Sequence, residues 1–301
     1  MDPVLNHPRL FHSGHITWAS FSVIPSLKLP PLIGTIVKPN VGLTPAQTGE
    51  LARQLATAGV DFIKDDEVMA DPAHSPLRER VKAVMGAIND VAARTGRKVM
   101  YACNITDELD HMYRHHDAVV AAGGTCVMVS LNSIGLAALA ALRRRCQVAI
   151  HGHRNGWGMF NRCPMLGVEF AAYQKLWRLC GADHLHVNGL SNKFWEPDDM
   201  VLASFRACLA PLFGQPRPMP VVGSGQWAGM AERTYKLVGT TDLLFISGGG
   251  ILGHPGGPAA GVAAIQQAWD AAVAGIPVAD YAATHAELRA ALEKFGKKKA
   301  E

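Results

Sequence analysis

No two of the six cysteines stand in a C-x-x-C pair, and most of them sit inside apolar runs. A disulfide framework is therefore not expected. The pattern reads as buried free thiols in a reducing compartment, hence a cytoplasmic chain. Charge is also scarce. Only 18% of residues are charged while 49% are hydrophobic, which excludes wholesale disorder and allows a sizeable core. The N-terminus lacks a basic start followed by an apolar run, so no secretory signal is expected. One long stretch, Ala118 to Leu142, carries no charge and is long enough to cross a bilayer. It contains Gly123-Gly124, Thr125, Ser130, Asn132 and Ser133, so it reads instead as helix end, turn, buried strand and helix. A nucleic-acid surface is not expected either. Part of the net charge of +4 comes from Lys297, Lys298 and Lys299, a solvated tail; the modest positive balance would suit a phosphorylated substrate.

What the chain does have is alternation. After a poorly periodic start, apolar runs of strand length alternate with segments of helical period, joined by Gly, Pro or Asx. The expected strands are 32–38, 60–65, 98–104, 125–130, 147–151, 184–187, 220–224 and 242–247. The helices between them are expected near 44–58, 77–94, 107–122, 134–145, 167–180, 197–212, 228–238 and 258–274, with a loop at 152–164. Eight β–α units in 301 residues predict a (β/α)₈ TIM barrel. A doubly wound sheet would want a Gly-rich turn after the first strand, where Lys38-Pro39-Asn40 stands. The expected divisions are a short irregular segment at 1–31, the barrel at 32–276, and a C-terminal helix with basic tail at 277–301.

In a barrel the chemistry sits at the C-terminal strand ends. The second strand ends in Asp61-Phe62-Ile63-Lys64-Asp65-Asp66-Glu67. Alternation along a strand puts Lys64 and Asp66 on one face. Asp66 and Glu67 make half a site for a hard cation such as Mg²⁺. Lys64 is either an ion-pair partner for them or, once converted to a carbamate by CO₂, a third anionic oxygen ligand. The other strand ends offer Lys38 and Asn40, Asn104, the pairs His151/His153 and His184/His186, Arg154, Ser224-Gly225, and Gly248-Gly249-Gly250. The histidine pairs read as partly buried imidazoles or as a zinc site still short of a ligand. Arg154 and the glycine turns have the donors to hold a phosphate.

The stretch Asp61 to Glu67 resembles the carbamylated-lysine motif of RuBisCO and the RuBisCO-like proteins. Further matches are Gly34-Thr35-Ile36-Val37-Lys38-Pro39, His151-Gly152-His153-Arg154, Asp183-His184-Leu185-His186, Ser224-Gly225 and Gly248 to Pro255, in the family's order. The resemblance covers roughly Gly34 to Gly275, the family's RuBisCO-type C-terminal barrel. The substantial α+β domain that precedes the family's barrel has no match in the thirty or so residues before the first strand. The resemblance implies Mg²⁺ on carbamylated Lys64, Asp66 and Glu67. It implies Lys38 as an acid/base group, and His153 and Arg154 on the substrate and its phosphate. His186 would hold the phosphate end and Lys193 would sit on a mobile loop. Ser224, Gly225, Gly248 and Gly249 would form the other anchors, with Asn40 beside the substrate. A homodimer is implied as well.

Three departures sharpen the expectation. Lys38-Pro39-Asn40 replaces the carboxylase Lys-Pro-Lys, Ser224-Gly225-Gln226 replaces Ser-Gly-Gly, and the neighbours of Lys193 differ. Asn155-Gly156-Trp157-Gly158, Ser224 to Trp227 and Lys193-Phe194-Trp195 look most like the branch that catabolises oxidised branched sugar acids. Its members are Mg²⁺-dependent decarboxylases or transcarboxylases of 3-oxo-sugar-acid phosphates, working through a metal-stabilised enolate. The alternatives are an enolase or isomerase of a thiomethyl ketose phosphate, an authentic carboxylase, and an inactive truncated barrel.

Overall fold

The computed structural model describes residues 30–163 and 165–296; most of segment 1–31, Pro164 and the basic tail 297–301 lie outside the described residues. Eight strands run β1 (Leu32–Ile36), β2 (Phe62–Lys64), β3 (Met100–Asn104), β4 (Cys126–Ser130), β5 (Ala149–His153), β6 (His184–His186), β7 (Met219–Val222) and β8 (Leu244–Ile246). They close in that order into an all-parallel barrel, β8 pairing back on β1. The expected TIM barrel is therefore what the chain forms. The seam is pinned by the Thr35 hydroxyl, which donates to the Ser247 carbonyl at 2.9 Å across 212 residues of sequence.

The helices begin and end on local signals. In α1 (Pro45–Ala58), Thr44 and Gln47 form a reciprocal capping box, and the helix stops at Gly59 in the left-handed region. Then come α2 (Leu77–Thr95), α3 (Leu109–Ala121), α4 (Leu131–Arg145), α5 (Gly158–Asn161), α6 (Phe170–Leu179), α7 (Asp198–Leu209), α8 (Ala231–Val238), α9 (Gly249–Leu252), α10 (Gly257–Ala274), α11 (Val278–Tyr281) and α12 (Ala286–Phe295).

Strand alternation sorts the core into two. Residues facing the helices form one large cluster that includes Ile33, Ile63, Tyr101, Val127, Ile150 and Leu185. The opposite face packs Leu32, Phe62, Met100, Met128, Met219 and Leu244 inside the barrel. Further along several strands that inward face is polar: Phe62 is followed by Lys64, Met128 by Ser130, and β5 and β6 carry His151 with His153 and His184 with His186. The barrel is plugged by hydrophobes at one end and carries functional groups at the other.

Several boundaries differ from expectation. β5 runs to His153 rather than stopping at His151, because its pairing with β4 continues to Ser130–His153. Gly152 sits inside that strand because a Cβ there would come within 3.1 Å of Leu131 and 3.2 Å of Leu185. α4 starts at Leu131, directly after β4, and kinks at Gly135. The expected loop at 152–164 contains α5, the glycine turn after β8 becomes α9, and the C-terminal segment holds two helices, α11 and α12. Four cysteines are buried, but Cys163 is exposed and Cys180 half-buried. Among the described residues no helix is long and apolar enough to cross a membrane.

Candidate active site

A cavity of about 950 Å³ opens at the C-terminal ends of the strands. Its lining includes Lys38, Lys64, Glu67, His153, Arg154, His186, Lys193, Ser224, Gly225, Gly248 and Gly249. Eleven expected site residues thus share one cavity. Asn40 is half-buried and does not belong to the lining, and neither does Asp66.

The end of β2 is built by alternation. Lys64 points into the barrel, buried, with Nζ donating to the Asp65 carbonyl and to Glu67 Oε2, both at 3.0 Å. Burial holds its ammonium below the usual lysine range, against the opposing pull of Glu67 and Asp66. Asp65 points the other way and is fully enclosed. Its carboxylate accepts from Arg80 Nε at 3.3 Å, from the Asn104 backbone N–H at 2.9 Å and from the Tyr101 hydroxyl. Arg80, also buried, spends its remaining donors on the carbonyls of Met69, Ala70 and Ser75. Asn104 donates to the carbonyls of Asp66 and Glu67, 3.1 Å each. The first acid of the Asp65-Asp66-Glu67 run is therefore an anchor for the strand end.

Asp66 takes a hydrogen bond from Lys38 Nζ on one oxygen and from the Val68 N–H on the other, at 3.1 Å. Glu67 lies within 3.6 Å of His153 Nε2 as well as against Lys64. Burial pushes the Glu67 carboxyl up, but Lys64 and His153 outweigh it and hold it at about 2. His153 is pushed down to about 4, first by burial and then by Lys64, with Glu67 opposing. At neutral pH the site thus holds a Glu67 carboxylate facing a neutral imidazole. Below it, His151 Nε2 lies 2.8 Å from His186 Nε2, and its Nδ1 lies 3.4 Å from His184 Nδ1. These contacts use opposite edges of one ring, so the three imidazoles share no point for a zinc ion. Burial keeps His151 and His186 well below the usual histidine range.

Arg154 carries a partner that the sequence reading missed. Its guanidinium meets Glu196 with two nitrogens, and Glu196 also accepts from Asn188 Nδ2 at 2.8 Å. The same guanidinium stacks 4.2 Å over Phe170, which packs with Trp157 and Tyr173. Arg154 is fixed in place, with part of its donor set already in use. Glu196 left no sequence signal, since it sits in an aperiodic loop before α7. Opposite, Ser224 has φ +68° and a buried hydroxyl with no partner among the described residues. Gln226 donates to the carbonyls of Leu190 and Ser224, 3.1 Å each, fastening the loop after β6 to the turn after β7. Gly248 and Gly249 enter the wall where α9 starts, and the first-turn N–H groups of a helix have no acceptor within it.

Residues 24–295 match the model of the ribulose bisphosphate carboxylase large chain, catalytic domain. The chain is 51% identical over 296 residues to a 3-oxo-isoapionate-4-phosphate decarboxylase of Rhizobium etli, covering 96% of this chain and 71% of that one. It is 54% identical over 265 residues to a 3-oxo-isoapionate-4-phosphate transcarboxylase/hydrolase of Xanthobacter autotrophicus, covering 87% of this chain and 64% of that one. The crystal structure of a rubisco-like protein from Burkholderia fungorum superposes with a TM-score of 0.86 at 54% identity, covering 89% of this chain and 67% of that one. Against four of its curated relatives, the chain spans 64% to 71% of their length.

Proposed function

The chain belongs to the ribulose bisphosphate carboxylase large-chain family, and on that premise we propose that it is the barrel of a Mg²⁺-dependent decarboxylase. Its substrate would be a phosphorylated 3-oxo sugar acid, and its partner a second copy of the chain. The observation that carries the reading is the proton inventory at β1. Lys38 lines the cavity while Asn40 does not, so a single lysine serves this end of the site. Loss of CO₂ from a β-keto acid breaks one C–C bond and sends the electron pair into the ketone, leaving an enolate that needs one proton. Lys38 can deliver it. Carboxylation needs a further proton abstraction, a hydration and a cleavage, and Asn40 cannot move protons. The relatives named as decarboxylases support the same choice.

The donor set fits a small divalent ion. Asp66 and Glu67 are hard oxygen donors, each now sitting against a lysine ammonium. Lys64 completes the set if its amine takes up CO₂ with loss of a proton, and burial favours the neutral amine that this step requires. When bound, Mg²⁺ would supply a Lewis acid for the keto oxygen. Neutral His153 can orient or accept a proton from a substrate hydroxyl. Arg154, His186, the Ser224 hydroxyl and the turn at Gly248–Gly249 would bind the phosphate, with Lys193 closing from its loop.

Two measurements test this. In the first, CO₂ release from a phosphorylated 3-oxo acid is compared with ¹⁴C incorporation from bicarbonate using ribulose 1,5-bisphosphate. Release without fixed label is expected, and label in an acid-stable product would overturn the reading. In the second, Glu196→Gln removes a negative charge from beside Arg154. Inorganic phosphate should then bind about tenfold more tightly, an effect between the water and protein-surface limits for one charge contact. Unchanged affinity would place the phosphate away from Arg154.

A further inference from the structure

We propose that the chain carries a second metal site, outside the barrel cavity, for a divalent ion of the zinc class on Asp107, His111 and His115, with Asp71 as a fourth donor. Asp107 lies in the loop between β3 and α3, and His111 and His115 follow at intervals of four residues along α3, so the two histidines share one side of the helix beside Asp107. Asp107 Oδ2 lies 3.3 Å from His111 Nδ1 and 3.2 Å from His115 Nε2. From the β2–α2 loop, Asp71 Oδ2 reaches within 3.8 Å of His115 Nε2. The donor atoms of Asp107, His111 and His115 all lie within 4.8 Å of one another. Ligands at about 2.0–2.2 Å from a tetrahedral ion stand about 3.3–3.6 Å apart; the Asp107–His111 and Asp107–His115 spacings already fit, and Asp71 would have to move in to complete the shell.

Hydrogen bonding alone leaves part of this arrangement unsatisfied. One carboxylate oxygen serves two imidazoles at once. His115 is only 7% exposed, and its other nitrogen, Nδ1, is buried with no partner among the described residues. The ring is therefore aimed by its Nε2 edge alone, toward two aspartates. Asp71 is held in turn, its Oδ1 accepting the Leu77 N–H at 2.5 Å, which leaves Oδ2 for an ion. His111 is half-exposed and gives an entry path. Two imidazole nitrogens with carboxylate oxygens favour zinc-class ions over Mg²⁺ or Ca²⁺, which take oxygen donors.

None of the four residues lines the cavity. The ion would instead tie α3 to the loop that leaves Asp66 and Glu67, bracing that loop from outside. Its expected effect is on stability rather than on chemistry.

The test uses the untagged chain stripped with chelator, titrated with Zn²⁺ by calorimetry and with Co²⁺ by visible absorption. One equivalent is expected, with the intense band of tetrahedral Co²⁺, and a rise in melting midpoint of about 5 °C at a hundredfold excess over Kd. In His111→Ala, a change on an exposed helix face checked for folding by circular dichroism, affinity should fall at least about 100-fold. Asp66→Asn should bind as the wild type does. Absence of uptake, or uptake that survives His111→Ala, overturns the proposal; loss of uptake in Asp66→Asn instead would assign the ion to the barrel site and overturn it equally.

Discussion

In Lys64→Met, Mg²⁺ binding should lose its dependence on bicarbonate, and turnover should fall by about a thousandfold, the scale of removing one fixed group that stabilises developing charge. The physical reason is local. Lys64 lies buried at the inward face of the β2 end, its ammonium disfavoured by that burial, paired directly with Glu67 and favoured more weakly by Asp66. Methionine keeps the length and apolar stem but can neither take up CO₂ nor pair with Glu67. Calorimetry of Mg²⁺ with and without bicarbonate checks the first half, and single-turnover kinetics the second. If the wild-type protein binds Mg²⁺ equally well under both conditions, Lys64 is an ordinary partner for Glu67 and the carbamate reading fails.

Arg80→Leu should cost about 3–5 kcal/mol of folding stability, because it leaves the Asp65 carboxylate buried without its counter-charge. The loss is larger than one ion pair suggests. The same guanidinium satisfies carbonyls of Met69, Ala70 and Ser75, the backbone of the loop between β2 and α2. Urea unfolding should show a lower midpoint at unchanged slope. A cost under about 1 kcal/mol would mean that solvent reaches Asp65 once Arg80 is gone. Pairing the change with Asp65→Asn should recover part of the loss, since the orphaned charge goes with it.

The barrel was legible because its strands and helices have different periods and because Gly, Pro and Asx stand at the joints. The candidate site was legible for a related reason: in parallel barrels one strand face leads from plug to cavity, so Phe62 and Lys64, or His151 and His153, announce each other by their spacing. What could not be read is pairing between elements. Arg80 looks like one more polar residue of α2, and only the fold carries it to Asp65. Glu196 looks like loop, and only the fold sets it on Arg154. Asn40 follows Lys38 closely enough to be taken as a neighbour in the site, yet the chain turns away before it joins the lining. Gly152 reads as a strand end because its missing side chain mimics a turn, whereas the strand needs that emptiness against Leu131 and Leu185.

The seam between β1 and β8 has a consequence for how the molecule comes to be. Its hydrogen bond between Thr35 and Ser247 joins residues 212 positions apart, so the cylinder cannot shut until all eight strands are available. During synthesis β1 waits with one edge bare while seven further strands emerge. Contacts of such long separation form late and slowly, and an uncovered parallel edge is a template for mispairing. A weakened seam, as in Thr35→Val, is expected to show itself less in the equilibrium constant than in the yield of soluble chain.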